Sequence, residues 1–136
     1  MTKEKKIFQP LTSKDVCQIY ELLVNQGYVS FPVTPYAEAK VSSALASIND
    51  PHFGVEIYTT NEEKAVAYLY FLIKDHPFTD GNKRTATLAF ATLCSINDLQ
   101  PDFQGLGLDS LAIFIEKIRE QDHHIVIKAI AGVLFD

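Results

Sequence analysis

Apolar residues recur along this chain at helical spacing, with one short interruption where the period changes. Val16, Ile19, Tyr20 and Leu23 fall on one stripe of a helix expected from about Ser13 to Gln26. Thr12 and Asp15 have capping-box spacing before it, and Gly27 supplies a stop after it. A second helix is expected over about Tyr36 to Asn49, with Val41, Ala44, Leu45 and Ile48 inward and Asp50-Pro51 as its end. Then Phe53, Val55 and Ile57 alternate with Gly54, Glu56 and Tyr58, which is strand periodicity. So short a run cannot stand as a sheet, and predicts a small β flap at about 53–59 laid on helices.

Helical spacing then resumes. Thr60-Asn-Glu-Glu63 reads as a capping box for a third helix, Asn61 to Lys74, apolar around more than half its circumference. The chain breaks at Asp75-His76-Pro77 and restarts near Asn82. Thr85 to Ile96 carries almost no charge, so this fourth helix is expected to be the central one, enclosed by the others. Asp109 and Asp122 are placed to cap a fifth helix, to about Arg119, and a sixth carrying Ile125, Ile127, Ile130 and Leu134. The fold class expected is mainly α: about six helices around a central helix at about 82–96, in a single domain spanning 1–136. No repeat, low-complexity tract or linker argues for a boundary.

Composition narrows the function classes. With 47% hydrophobic and 21% charged residues the chain reads as a globular protein. A formal charge of −5 argues against a broad surface for nucleic acid or anionic membrane. No apolar run reaches the roughly 18 residues of a membrane span. Met1 to Phe8 is charged, with no apolar signal region behind it, and Cys17 and Cys94 sit in helical patterns as small buried hydrophobes. A cytoplasmic location is expected on those grounds.

The break between the third and fourth helices holds the chemistry. Gly81, Asn82, Lys83 and Arg84 stand where a helix begins. Free N–H groups and the positive end of the dipole favour an anion there, Gly81 allows close backbone approach, and Lys83 and Arg84 add charge. These coincident features define a phosphate site. Asp80 would repel a phosphate unless a magnesium ion bridged carboxylate and phosphate oxygens. His76 is the nearby side chain able to accept a proton near neutral pH. Phe78 reads as an apolar anchor for the loop, and Pro77 as a restraint holding His76 extended. Each residue alone has an ordinary structural reading: a loop histidine, an N-cap aspartate, solvated cations.

The run His76-Pro-Phe-Thr-Asp-Gly-Asn-Lys-Arg84 resembles the Fic/Doc signature at all eight specified positions. The surrounding order of elements, roughly Tyr36 to Leu134, is similar too, and the Lys at position 83 resembles the death-on-curing branch. The resemblance implies that His76 is general base, that Asp80 holds Mg2+, and that Gly81, Asn82, Lys83 and Arg84 hold the phosphates of ATP. It implies that the segment Phe53 to Tyr58 is a flap pairing with target backbone. Family members that transfer AMP usually carry Gly in place of Lys83 and Arg in place of Thr87. Lys83 and Thr87 therefore favour γ-phosphate transfer to a protein hydroxyl, by analogy that of elongation factor Tu, over AMP transfer or a non-catalytic binding module.

An inhibitory pattern is approached at Thr34-Pro-Tyr-Ala-Glu38 but broken by Ala39, so the expected restraint is a small antitoxin acting in trans. His123 and His124 carry no assigned role, since adjacent side chains point to different faces. Thr85 and Thr87 read as solvent-facing or as modification sites.

Overall fold

The computed structural model describes residues 6–51 and 54–135. Six helices account for its regular structure: α1 Ser13–Asn25, α2 Pro35–Asn49, α3 Asn61–Lys74, α4 Asn82–Ile96, α5 Leu108–Lys117 and α6 His123–Leu134. The mainly α bundle expected from periodicity is the one observed.

Local chemistry explains most of the boundaries. At α1 the Thr12 side chain accepts from Asp15 N at 3.1 Å, and the Asp15 carboxylate accepts from Thr12 N at 2.8 Å. The helix ends in a Schellman turn: Gly27 stands at φ +82, its N–H reaches Val24 O, and Tyr28 N reaches Leu23 O. That turn fixes where Tyr28 leaves the helix. Thr34 caps α2 by accepting from Ala37 N, with Pro35 as first helical residue, so the Thr34–Glu38 stretch is a helix start. Thr60 caps α3 through Glu63 N, but only half of the expected box forms, because the buried Glu63 Oε1 has no hydrogen-bond partner among the described residues. Asp122 caps α6, accepting from His124 N and Ile125 N.

Three expectations need correction. First, α5 is capped by Gly107 at φ +82 with no side-chain bond, so Asp109 lies in the first turn and is not the cap. Second, α4 shares the centre with α3, and α3 is the enclosed one. It packs against α2, α4, α5 and α6, and eight of its residues are buried. α4 packs on α1, α3 and α5 and keeps an outer stripe with Leu88, Ala91 and Ile96 exposed. Its lack of charge misled because hydroxyls serve on that stripe, Thr87 and Thr92 donating to Arg84 O and Leu88 O of their own helix. Third, no strand forms among the described residues of 53–59. Phe53 lies outside the described residues, Gly54 makes a turn at φ +77, and Val55 forms a single bridge. The alternation is inverted too: Val55 is exposed and Tyr58 wholly buried. With no partner strand among the described residues to impose a pleat, burial follows the Tyr58 ring, whose Oη meets His124 Nδ1 at 2.7 Å.

Candidate active site

The loop between α3 and α4 is held from below before it offers anything to a ligand. Phe78 is buried and stacked flat on Tyr20, ring centroids 4.0 Å apart at 7°. Tyr20 in turn donates to Phe31 O at 2.6 Å, which ties α1, the 26–34 connection and the loop together. Burial, and secondarily the Asp80 carboxylate, push the Tyr20 phenol up from its ordinary pKa.

Asn82 clamps the loop. Its Oδ1 accepts from Phe78 N at 3.0 Å and its Nδ2 donates to Phe78 O at 2.9 Å, so both ends of the amide are oriented. The same Nδ2 lies 3.1 Å from His76 Nδ1. Because Oδ1 is taken, Nδ2 is the donor and Nδ1 the acceptor, and a neutral His76 then carries its proton on Nε2. His76 itself is in the left-handed region at φ 48, a conformation that a residue with a Cβ adopts at some cost. The extended geometry expected from Pro77 is therefore not the one observed; the clamp from Asn82 overrides the preference. Asn82 is 5% exposed, so its side chain serves the loop, and what it can offer an anion is its backbone N–H.

Gly81 is the hinge between loop and helix. It stands at φ +78 as N-cap of α4, and a Cβ built there would lie 2.6 Å from Val29 Cγ2. No side chain caps α4. The first-turn N–H groups therefore remain available, with the positive end of the dipole behind them. Asp80 Oδ1 accepts from Gly81 N at 2.8 Å, which turns the carboxylate beside the helix start without closing it.

These groups open on a cavity of about 370 Å³ lined by Tyr28, His76, Thr79, Asp80, Gly81, Asn82, Lys83, Arg84 and Glu116. All of the site residues singled out from sequence thus face one space. Lys83 Nζ pairs with Glu116 Oε2 of α5 at 2.8 Å, and Lys83 holds the Glu116 carboxyl below its usual range. The Arg84 guanidinium lies 4.6 Å above the Tyr28 ring. Sequence reasoning missed Tyr28 and Glu116. Tyr28 had a signal, since it follows the Gly27 stop; Glu116 had none, as a carboxylate on the outer face of an amphipathic helix looks solvated. Thr85, read as exposed, is buried, its Oγ1 without a hydrogen-bond partner among the described residues. Protein groups fit one divalent ion only partly: no group of three or more His, Cys, Asp or Glu converges among the described residues. Asp80 is the carboxylate at the helix start that could hold such an ion, since magnesium is commonly held by only one or two carboxylates with phosphate oxygens and water.

Comparison with known proteins gives the family. The sequence pattern of the Fic/DOC family matches residues 10–94, from just before α1 into the last turn of α4, and the chain belongs to that family. Over 60 residues it is 38% identical to a protein named Toxin Doc from Mycolicibacterium smegmatis, an alignment covering 44% of this chain and 46% of that one. The match thus spans about half the length of the curated relative. No solved structure matches.

Proposed function

We propose that this chain is a Doc-like toxin that transfers the γ-phosphate of ATP to a hydroxyl of a target protein. The observation that carries the reading is the uncapped start of α4, with Lys83, Arg84, Asp80 and His76 all lining one cavity. The target oxygen forms a bond to the γ-phosphorus, the bridging bond to the β-phosphate breaks, and ADP leaves. The hydroxyl proton goes to His76 Nε2. For that, the neutral ring carries its own proton on Nδ1, so it must release the contact with Asn82 Nδ2. Asn82 therefore governs both the shape of the loop and the tautomer of the base.

The N–H groups of the α4 first turn, Lys83 and Arg84 are placed to neutralise phosphate charge, and Tyr28 keeps the Arg84 guanidinium at the cavity edge. Asp80 would hold Mg2+, which supplies charge neutralisation between phosphate oxygens. Lys83, in place of the Gly common among AMP-transferring relatives, and Thr87, in place of their second Arg, support phosphate over AMP transfer. Thr87 Oγ1 is engaged with Arg84 O and adds no clamp on distal phosphates.

On this reading the partners are a protein hydroxyl, on elongation factor Tu by analogy, and a small antitoxin, in the cytoplasm. The test is a transfer assay with purified full chain, elongation factor Tu, ATP and magnesium, alongside growth of cells after induction. His76→Ala should lower transfer by at least the roughly 10²–10⁴-fold typical of a positioned base and restore growth. Transfer that survives in His76→Ala would remove His76 as the base, and harmless expression of the active chain would remove the toxin reading.

A further inference from the structure

We propose that Glu116 is a specificity-determining residue of this site, making it take polyphosphate as a metal complex and discriminate against the bare anion. The inference rests on the phosphate-binding reading above. Lys83 and Glu116 meet across the cavity wall from α4 and α5, Nζ to Oε2 at 2.8 Å. The remaining charged groups of the wall are Asp80 and Arg84, apart from the titratable His76. With His76 neutral, two cations face two carboxylates and the wall carries no net charge. The two cations are not equivalent. Arg84 packs on Tyr28 and forms no ion pair among the described residues, whereas Lys83 is already neutralised.

A metal-free polyphosphate entering this cavity gains Arg84 and the first-turn N–H groups, but must share Lys83 and approach both carboxylates. A divalent cation carried in with the phosphates reverses the sign of that encounter, since a carboxylate near it becomes attractive. Glu116 thus contributes little to the binding of a magnesium complex and penalises the uncomplexed anion. A half-exposed ion pair would have small consequence for stability; its effect here is on what the neighbouring helix start accepts. Glu116 also stays ionised throughout the neutral range, because its bond to Lys83 lowers its pKa.

The experiment is calorimetric titration of the full chain with tripolyphosphate and with adenylyl imidodiphosphate, each in magnesium and in EDTA. Glu116→Gln keeps the side-chain shape and removes the charge. It should raise affinity for both metal-free probes roughly tenfold while changing the magnesium forms by less than about threefold, so the preference for the complex falls. Asp98→Asn makes the same charge change at a remote exposed pair with Lys6, and should leave that preference unaltered. Equal tightening of both forms in Glu116→Gln, or none, overturns the inference while leaving the phosphate site in place. If the wild-type chain binds neither probe in either form, the phosphate-site reading itself is lost and this inference with it. Thermal melting of Glu116→Gln, expected within a degree or two of wild type, checks that the fold is retained.

Discussion

Gly81 and Asn82 show how much of this site is decided by two side chains, one of them a hydrogen atom. A methyl group at position 81 meets Val29 Cγ2 and must be carried at positive φ. Gly81→Ala should therefore cost about 2–4 kcal/mol in urea unfolding, from left-handed backbone strain plus overpacking. Asn82→Ala strands the Phe78 N–H and C=O in a buried setting and should cost about 2–3 kcal/mol, with transfer activity lowered as the loop loosens. A wild-type unfolding curve for either variant would show that the loop is held by other means. The types of residue in the loop were legible in the sequence: a glycine, a histidine, a carboxylate and two cations in nine positions. The direction of the Asn82 amide was not, because a side chain that bonds backbone four residues upstream leaves no spacing signal distinct from one that faces a ligand. The cysteines were read correctly as buried. Burial pushes the Cys94 thiol up to about 12 and raises Cys17 as well, so neither should react with a thiol reagent at pH 8 until the chain is unfolded.

At the scale of elements, most caps and stops in the sequence translated into boundaries, Asp109 being the exception because Gly107 starts α5 two residues earlier. Thr12, Thr34, Thr60 and Asp122 all cap, since the bond needed is made within three residues. Other expectations failed where a distant partner decided. The flap did not become a strand because Tyr58 turned inward to His124, a partner 66 positions away. The neighbouring His123 similarly meets Tyr70 Oη at 2.5 Å, so two adjacent histidines fasten the start of α6 to two different tyrosines. Their structural role came from pointing to different faces, the very feature that made them look idle. Burial raises the Tyr58 phenol well above its ordinary pKa. A group with a raised folded-state pKa contributes stability that is complete below about 10 and is lost as pH rises through the folded value. Melting temperature should thus fall above about pH 10, and Tyr58→Phe should flatten that fall while costing about 1 kcal/mol at neutral pH through the lost hydrogen bond. An unchanged alkaline slope in Tyr58→Phe would assign the loss to other groups.

Over the whole molecule, the bundle serves to present one helix start. α3 fills the centre, α1 brings Tyr20 under the loop and Tyr28 beside Arg84, and α5 brings Glu116 to Lys83. The order of elements was readable from periodicity, and membership of the Fic/DOC family agrees with it. Which helices would meet at the cavity was not readable, because contacts between distant elements depend on packing angles that apolar stripes leave open. Lys83 is where these scales join: it sits on the first turn of α4, pairs with α5, and on the proposed function favours phosphate over AMP transfer. The most direct measurement is therefore to incubate the full chain, magnesium and elongation factor Tu with ATP labelled at either the γ- or the α-phosphate. The account predicts γ-label on the target, none from the α-position, and no transfer by His76→Ala. Label from the α-phosphate on the target would contradict it.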